Sequence, residues 1–183
     1  FPEKSPQLQD KEASILNASD KNQTTARKFA LSGQSDYRLQ KPSYLFVTVD
    51  YEDDKFSGYD YRLAESVGYG RRVIDDKDLS VDLEIGPGLR QSKLNSGQSE
   101  NEGLIRAAGK INWVISESST LAENLTIEAG EDATITKSVT SLSSQIEGNL
   151  SMKMSFTYVN TSKVPAGIDK TDTETAVTLV YNF

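Results

Sequence analysis

Apolar residues recur at every second position along most of this chain, the period of a β-strand with one apolar and one polar face. From Glu174 to Phe183, Thr175, Val177, Leu179, Tyr181 and Phe183 share one face, opposite Glu174, Ala176, Thr178, Val180 and Asn182. Leu79, Val81, Leu83 and Ile85 oppose Ser80, Asp82, Glu84 and Gly86 in the same way. Ile105, Ala107, Gly109, Ile111, Trp113 and Ile115 oppose Arg106, Ala108, Lys110 and Asn112. Leu150, Met152, Met154, Phe156 and Tyr158 oppose Ser151, Lys153, Ser155 and Thr157. Weaker versions of the pattern start at Phe29, Leu45, Tyr59 and Leu121, with a further strand around Thr140, Leu142 and Ile146 and a short first one at Ala13–Ala18. This predicts about ten strands of about ten residues, the span of a tilted membrane strand.

The connections alternate in length. Gln40–Ser43, Asp75–Asp78, Glu117–Ser119 and Gly148–Asn149 have the composition of tight turns. Ser19–Thr25, Asp53–Gly58, Lys93–Asn101 and Ser162–Thr173 are longer and polar, and Glu131–Thr134 is the shortest of that set. An up-and-down barrel alternates in this way when one rim faces the periplasm and the other faces outward. The C-terminus falls on the short-turn side. Aromatic residues gather near both strand ends, Tyr59, Tyr61, Phe156 and Tyr158 toward the long connections and Tyr69 and Trp113 toward the short ones. Two such girdles are expected at the two membrane interfaces. The expected fold is therefore all-β: an antiparallel up-and-down transmembrane β-barrel over residues 12–183. Residues 1–11, with two prolines and no clear period, form a poorly ordered lead.

Composition agrees. Only 36% of the 183 residues are hydrophobic and mean hydropathy is -0.51, low for a soluble domain but suited to a barrel with a polar interior. A net charge of -7 without a dense basic run argues against a nucleic-acid partner. The absence of Cys and His removes disulfides, thiolate chemistry, the Ser-His-Asp triad and the commonest metal ligand. No catalytic residue, cofactor or metal centre is expected, and an outer-membrane enzyme would need Ser-Lys or acidic-pair chemistry for which no constellation is visible. No stretch has the apolar length of a transmembrane helix. The chain begins with Phe1, which suggests a processed or trimmed polypeptide.

The polar faces carry both signs of charge. Arg62, Arg72, Asp82, Glu84, Arg90, Arg106, Lys110, Glu128 and Lys153 are the candidate lumen network. Either they select a solute or they neutralise one another and fill a small barrel; the balance of signs favours the second. Gly68-Tyr69-Gly70 and Gly86-Pro87-Gly88 lie inside strand patterns, so bulges or close-packed lumen positions are expected there, with Pro87 pointing to a bulge. The loop carboxylates Glu52-Asp53-Asp54 and Asp169–Asp172 match no defined calcium loop. Glu65 and Glu123 fall on the face otherwise directed at lipid, against the pattern.

Several runs resemble the YdiY-like family of salt-induced outer-membrane proteins of unknown function. They are YEDDKFSGYDYR (Tyr51–Arg62), SVGYGRR (Ser66–Arg72), DLEIGPGLRQS (Asp82–Ser92), IEAGED (Ile127–Asp132) and KTDTETAVTLVYNF (Lys170–Phe183). The resemblance implies a barrel in the outer membrane of a Gram-negative bacterium, with a periplasmic C-terminus and a link to salt or osmotic stress. It implies outer-membrane lipid and lipopolysaccharide as surroundings, and a monomer is favoured. It supports reading Val177, Leu179, Tyr181 and Phe183 as the terminal signal for the barrel-assembly machinery. Family members carry further strands before the region near Glu12, so either the remaining strands close alone or this chain is a fragment. The rival reading is a soluble, lipocalin-like barrel binding a small apolar ligand, which would turn its apolar face inward.

Overall fold

A computed structural model describes residues 28–54 and 58–181. The expected first strand at Ala13–Ala18, the connection at Ser19–Thr25, and Phe183 lie outside these residues. The other nine expected strands are all present: β1 (Lys28–Arg38), β2 (Ser43–Asp54), β3 (Tyr59–Asp75), β4 (Leu79–Leu94), β5 (Ser99–Ser116), β6 (Ser119–Gly130), β7 (Thr134–Glu147), β8 (Leu150–Thr161) and β9 (Thr171–Tyr181). They form one antiparallel sheet in which each strand pairs with its sequence neighbour. Among the described residues β1 and β9 are edges, so these nine strands do not close by themselves.

The sheet curls strongly. A flat sheet would set β1 and β5 about 19 Å apart, four spacings of roughly 4.8 Å. Yet the Lys110 Nζ of β5 donates to the Gln34 Oε1 of β1 at 2.9 Å, and Gln34 Nε2 reaches Glu84 of β4 at 2.9 Å. Such contacts arise only on the concave face of a sheet bent toward a barrel.

The two faces are distributed opposite to those of a soluble domain. On the convex face Val67, Ile85, Leu89, Ile105, Val177 and Leu179 are exposed. On the concave face Asp82, Glu84, Arg90 and Arg106 are buried, and among the described residues the buried hydrophobic set is only Phe46, Ala64, Leu104 and Ala108.

Two expectations need correction. The strands run longer than about ten residues, reaching 17 in β3 and 18 in β5. The Lys93–Asn101 connection therefore shrinks to the turn between Leu94 and Ser99. Pairing continues there through polar residues, Lys93 with Ser99 and Ser92 with Glu100, because backbone hydrogen bonds need no apolar side chain. Nor does Pro87 mark a bulge: β4 keeps its register through it, with Gly86 opposite Arg106, Pro87 opposite Ile105 and Gly88 opposite Leu104. The glycines beside it answer instead to crowding. A Cβ on Gly86 would lie 2.1 Å from the Val67 carbonyl oxygen, and one on Gly68 2.6 Å from the Phe46 ring. The register shifts fall near strand ends, between Glu52 and Asp54, Tyr59 and Tyr61, Arg72 and Ile74, Val114 and Ser116, and Gln145 and Glu147.

Candidate lumen site and its relatives

Strand alternation delivers the concave-face charges to three clusters. Glu84 is the hub of the central one. Its side chain is fully buried, and it accepts from Arg106 at 2.9 Å, Lys110 at 2.6 Å, Tyr44 at 2.9 Å and Gln34 at 2.9 Å. The Arg106 guanidinium also lies over the Phe46 ring, 5.2 Å from its centroid. Four donors on two oxygens compensate a carboxylate that would be costly alone away from water.

The second cluster lies toward the long connections. Arg90, 3% exposed, donates to Glu102 at 2.6 Å and Glu128 at 2.9 Å and to the Ala133 carbonyl at 3.2 Å. Beside it Arg62 pairs with Glu52 at 2.6 Å. The third lies toward the short turns, where Arg72 grips Asp82 through two contacts of 2.9 and 3.0 Å and reaches Asp75 at 3.2 Å. Eight of the nine expected lumen charges are thus placed in ion pairs. Lys153 is the exception: it is exposed on β8 and has no ion pair among the described residues. Nothing brings it to the others, because its strand lies on the far side of the sheet from the hub.

Four members of these clusters escaped sequence reasoning, among them Gln34 of β1. Tyr44 and Phe46 occupy inward positions on either side of Leu45 on β2, where strand parity alone places them. Glu102 falls unassigned just past the expected Lys93–Asn101 connection, although Glu102, Leu104 and Arg106 continue the inward alternation of β5.

The aromatic residues fall on both faces of the sheet. Phe29, Tyr51 and Tyr61 form a ladder on the convex face, with centroids 6.2 and 6.3 Å apart. Tyr69, Trp113 and Phe156 are exposed on the same face and Tyr158 is half-buried. Tyr69 is hydrogen-bonded to Ser43 at 2.5 Å. Tyr59 does not belong to the girdle. The register shift before Tyr61 turns it inward, where Arg62 lies over its ring at 4.9 Å. Of the expected terminal signal, Val177, Leu179 and Tyr181 are exposed on the convex face of β9.

The two outward carboxylates differ. Glu123 accepts hydrogen bonds from Ser138 at 2.7 Å and from Thr140, so neighbouring β7 supplies polar partners on the convex face. Glu65 is exposed between Val49 and Leu89, and among the described residues it has no such partner.

At the rim of the long connections the β8–β9 loop leans over the concave face. A Cβ on Gly58, just before β3, would stand 2.9 Å from Pro165 and 3.2 Å from Ile168. Beneath the loop is a cavity of about 130 Å³ that touches Tyr59, Arg62, Arg90, Glu102, Asp132 and Lys163.

A solved structure shares this architecture, and a sequence relative and a family model match the chain. The solved structure of the NanC porin superposes with a TM-score of 0.57 at 13% identity, covering 85% of this chain and 79% of that one, a likeness of fold alone. The uncharacterized protein YdiY of Escherichia coli (strain K12) is 27% identical over 167 residues, covering 91% of this chain. The match spans 66% of YdiY, about two thirds of that relative's length. The family described as "Protein of unknown function, DUF481" matches residues 9–183, and the chain belongs to that family.

Proposed function

We propose that this protein is an outer-membrane β-barrel whose lumen is filled and neutralised by its own side chains, acting as a structural element or a narrow channel rather than as an enzyme. The observation that carries this reading is the reversal of faces: exposed Val, Leu and Ile on the convex side, and the buried hub of Glu84, Arg106 and Lys110 on the concave side. Lipid is the solvent that suits the first, and a closed polar interior suits the second. A carrier for an apolar ligand would need the opposite arrangement.

In this reading the apolar convex face meets lipid, and the long-connection rim meets lipopolysaccharide. Val177, Leu179, Tyr181 and Phe183 present the terminal signal to the assembly machinery, with the C-terminus in the periplasm. A role in salt or osmotic stress accords with the family likeness.

The test is to refold the chain into detergent micelles and compare its gel mobility with and without boiling, then measure conductance in planar bilayers. A faster band before boiling, with conductance far below that of a wide water-filled porin, is the expected result. No band shift together with stable folding in plain buffer overturns the membrane reading. A wide, unselective conductance overturns the filled lumen.

A further inference from the structure

The cavity at the long-connection rim has a chemistry that the lumen clusters do not use. Its floor is built and buried. Arg90 is held by Glu102 and Glu128, and beside it Ser92 and Thr161 are 8% and 6% exposed. Both line the cavity together with Arg90, whose Nε is buried with no hydrogen-bond partner among the described residues.

Charges around the lining divide evenly: Glu100, Glu102 and Asp132 against Arg62, Arg90 and Lys163. Such a lining exerts little net field and does not select ions of one sign. Arg62, Arg90 and Glu102 are already paired. Lys163 on the β8–β9 loop, Asp132 in the β6–β7 turn and Glu100 at the start of β5 have side chains in no ion pair among the described residues. Among the described residues the cavity therefore presents one unpaired cation and two unpaired carboxylates. Among the described residues no group of three acidic side chains is gathered to hold a metal ion. A dry cavity of about 150 Å³ accepts a six-carbon ring, so 130 Å³ suits a guest of similar heavy-atom count.

We propose that this cavity binds a small zwitterion of amino-acid size. Its carboxylate meets Lys163, its ammonium meets Asp132 and Glu100, and its remaining polar edge meets the Ser92 and Thr161 hydroxyls. Charge-assisted contacts of both signs within one small site make a molecule carrying both charges the preferred guest over one carrying either alone. The placement of the site on the outer surface rests on the membrane reading above; its ligand class does not.

The experiment is calorimetric titration of the micelle-refolded chain with L-alanine, and separately with ethylammonium and propionate, which each keep one of alanine's charges. L-Alanine is expected to bind at least tenfold more tightly than either; Lys163→Gln and Asp132→Asn are each expected to weaken alanine about tenfold, with Lys163→Gln also weakening propionate but not ethylammonium, and Asp132→Asn weakening ethylammonium but not propionate. No binding of alanine, equal binding of all three, or unchanged binding by both variants overturns the proposal. The wild-type comparison needs no variant to fold. The gel shift of the same sample reports the barrel separately, so failure of the site is distinguishable from failure of the membrane reading.

Discussion

Replacing Glu84 by Gln probes the lumen hub most sharply. The carboxylate accepts four hydrogen bonds, three at Oε1 from Gln34, Tyr44 and Lys110 and one at Oε2 from Arg106. An amide of the same shape keeps one acceptor oxygen, turns a donor toward cations and carries no charge. Two positive groups lose their counter-charge. Removing one partner of a buried ion pair costs roughly 3–5 kcal/mol, because the other charge stays behind without compensation. Lys110 is 28% exposed and can turn to water, whereas Arg106, 7% exposed, cannot. The lower end therefore applies, about 3 kcal/mol. The assay is urea unfolding of the refolded protein in lipid vesicles, read as the fraction that keeps the unboiled gel mobility. Adding Arg106→Met removes the orphaned cation, so the double variant is expected to recover at least half of the loss. A Glu84→Gln protein as stable as wild type, or a double variant worse than the single one, would refute the reasoning.

Three further outcomes are expected from the same assay. Gly86→Ala drives a Cβ into the Val67 carbonyl, with only backbone around it to yield, and should cost about 2–3 kcal/mol. Gly103→Ala, where a Cβ meets nothing within 4 Å, should be neutral or stabilising by up to about 1 kcal/mol; equal effects at the two sites would contradict the close approach of β3 and β4. Phe46→Ala empties the one large side chain that is fully buried among the described residues and uncovers Arg106, for a loss of about 3–5 kcal/mol. Glu65→Leu, on the convex face between Val49 and Leu89, should stabilise the vesicle-inserted protein by about 1 kcal/mol and leave conductance unchanged, and a loss of stability would place Glu65 against a polar partner.

Strand parity carried most of the fold. It put Asp82, Glu84, Arg90 and Arg106 on one face and Leu83, Ile85, Leu89 and Ile105 on the other, as the sheet has them. Parity is local, and so were its failures. A single register shift before Tyr61 sends Tyr59 inward, and no residue type announces such a shift. Glu100 passed for loop and Glu102 went unassigned because the apolar patterning ends before backbone pairing does. Which charges meet depends on curvature, a property of the whole sheet: Gln34 and Lys110 are 76 positions apart and touch only because β1 bends toward β5. The Glu123 anomaly needed its neighbour strand, since Ser138 and Thr140 face it only once β6 and β7 are in register. Lys153 carries the same alternation as the network charges, and parity alone could not separate it from them.

The outward direction of the apolar face is the central claim, and the chain contains a natural probe of it. Trp113 is its single tryptophan, 48% exposed on the convex face toward the short turns. The decisive measurement is Trp113 fluorescence after refolding into vesicles that contain brominated lipids. The account predicts blue-shifted emission, quenched by bromine near the headgroups and shielded from aqueous iodide. Emission at the wavelength of water-exposed indole, quenched by iodide and indifferent to brominated lipid, would contradict it.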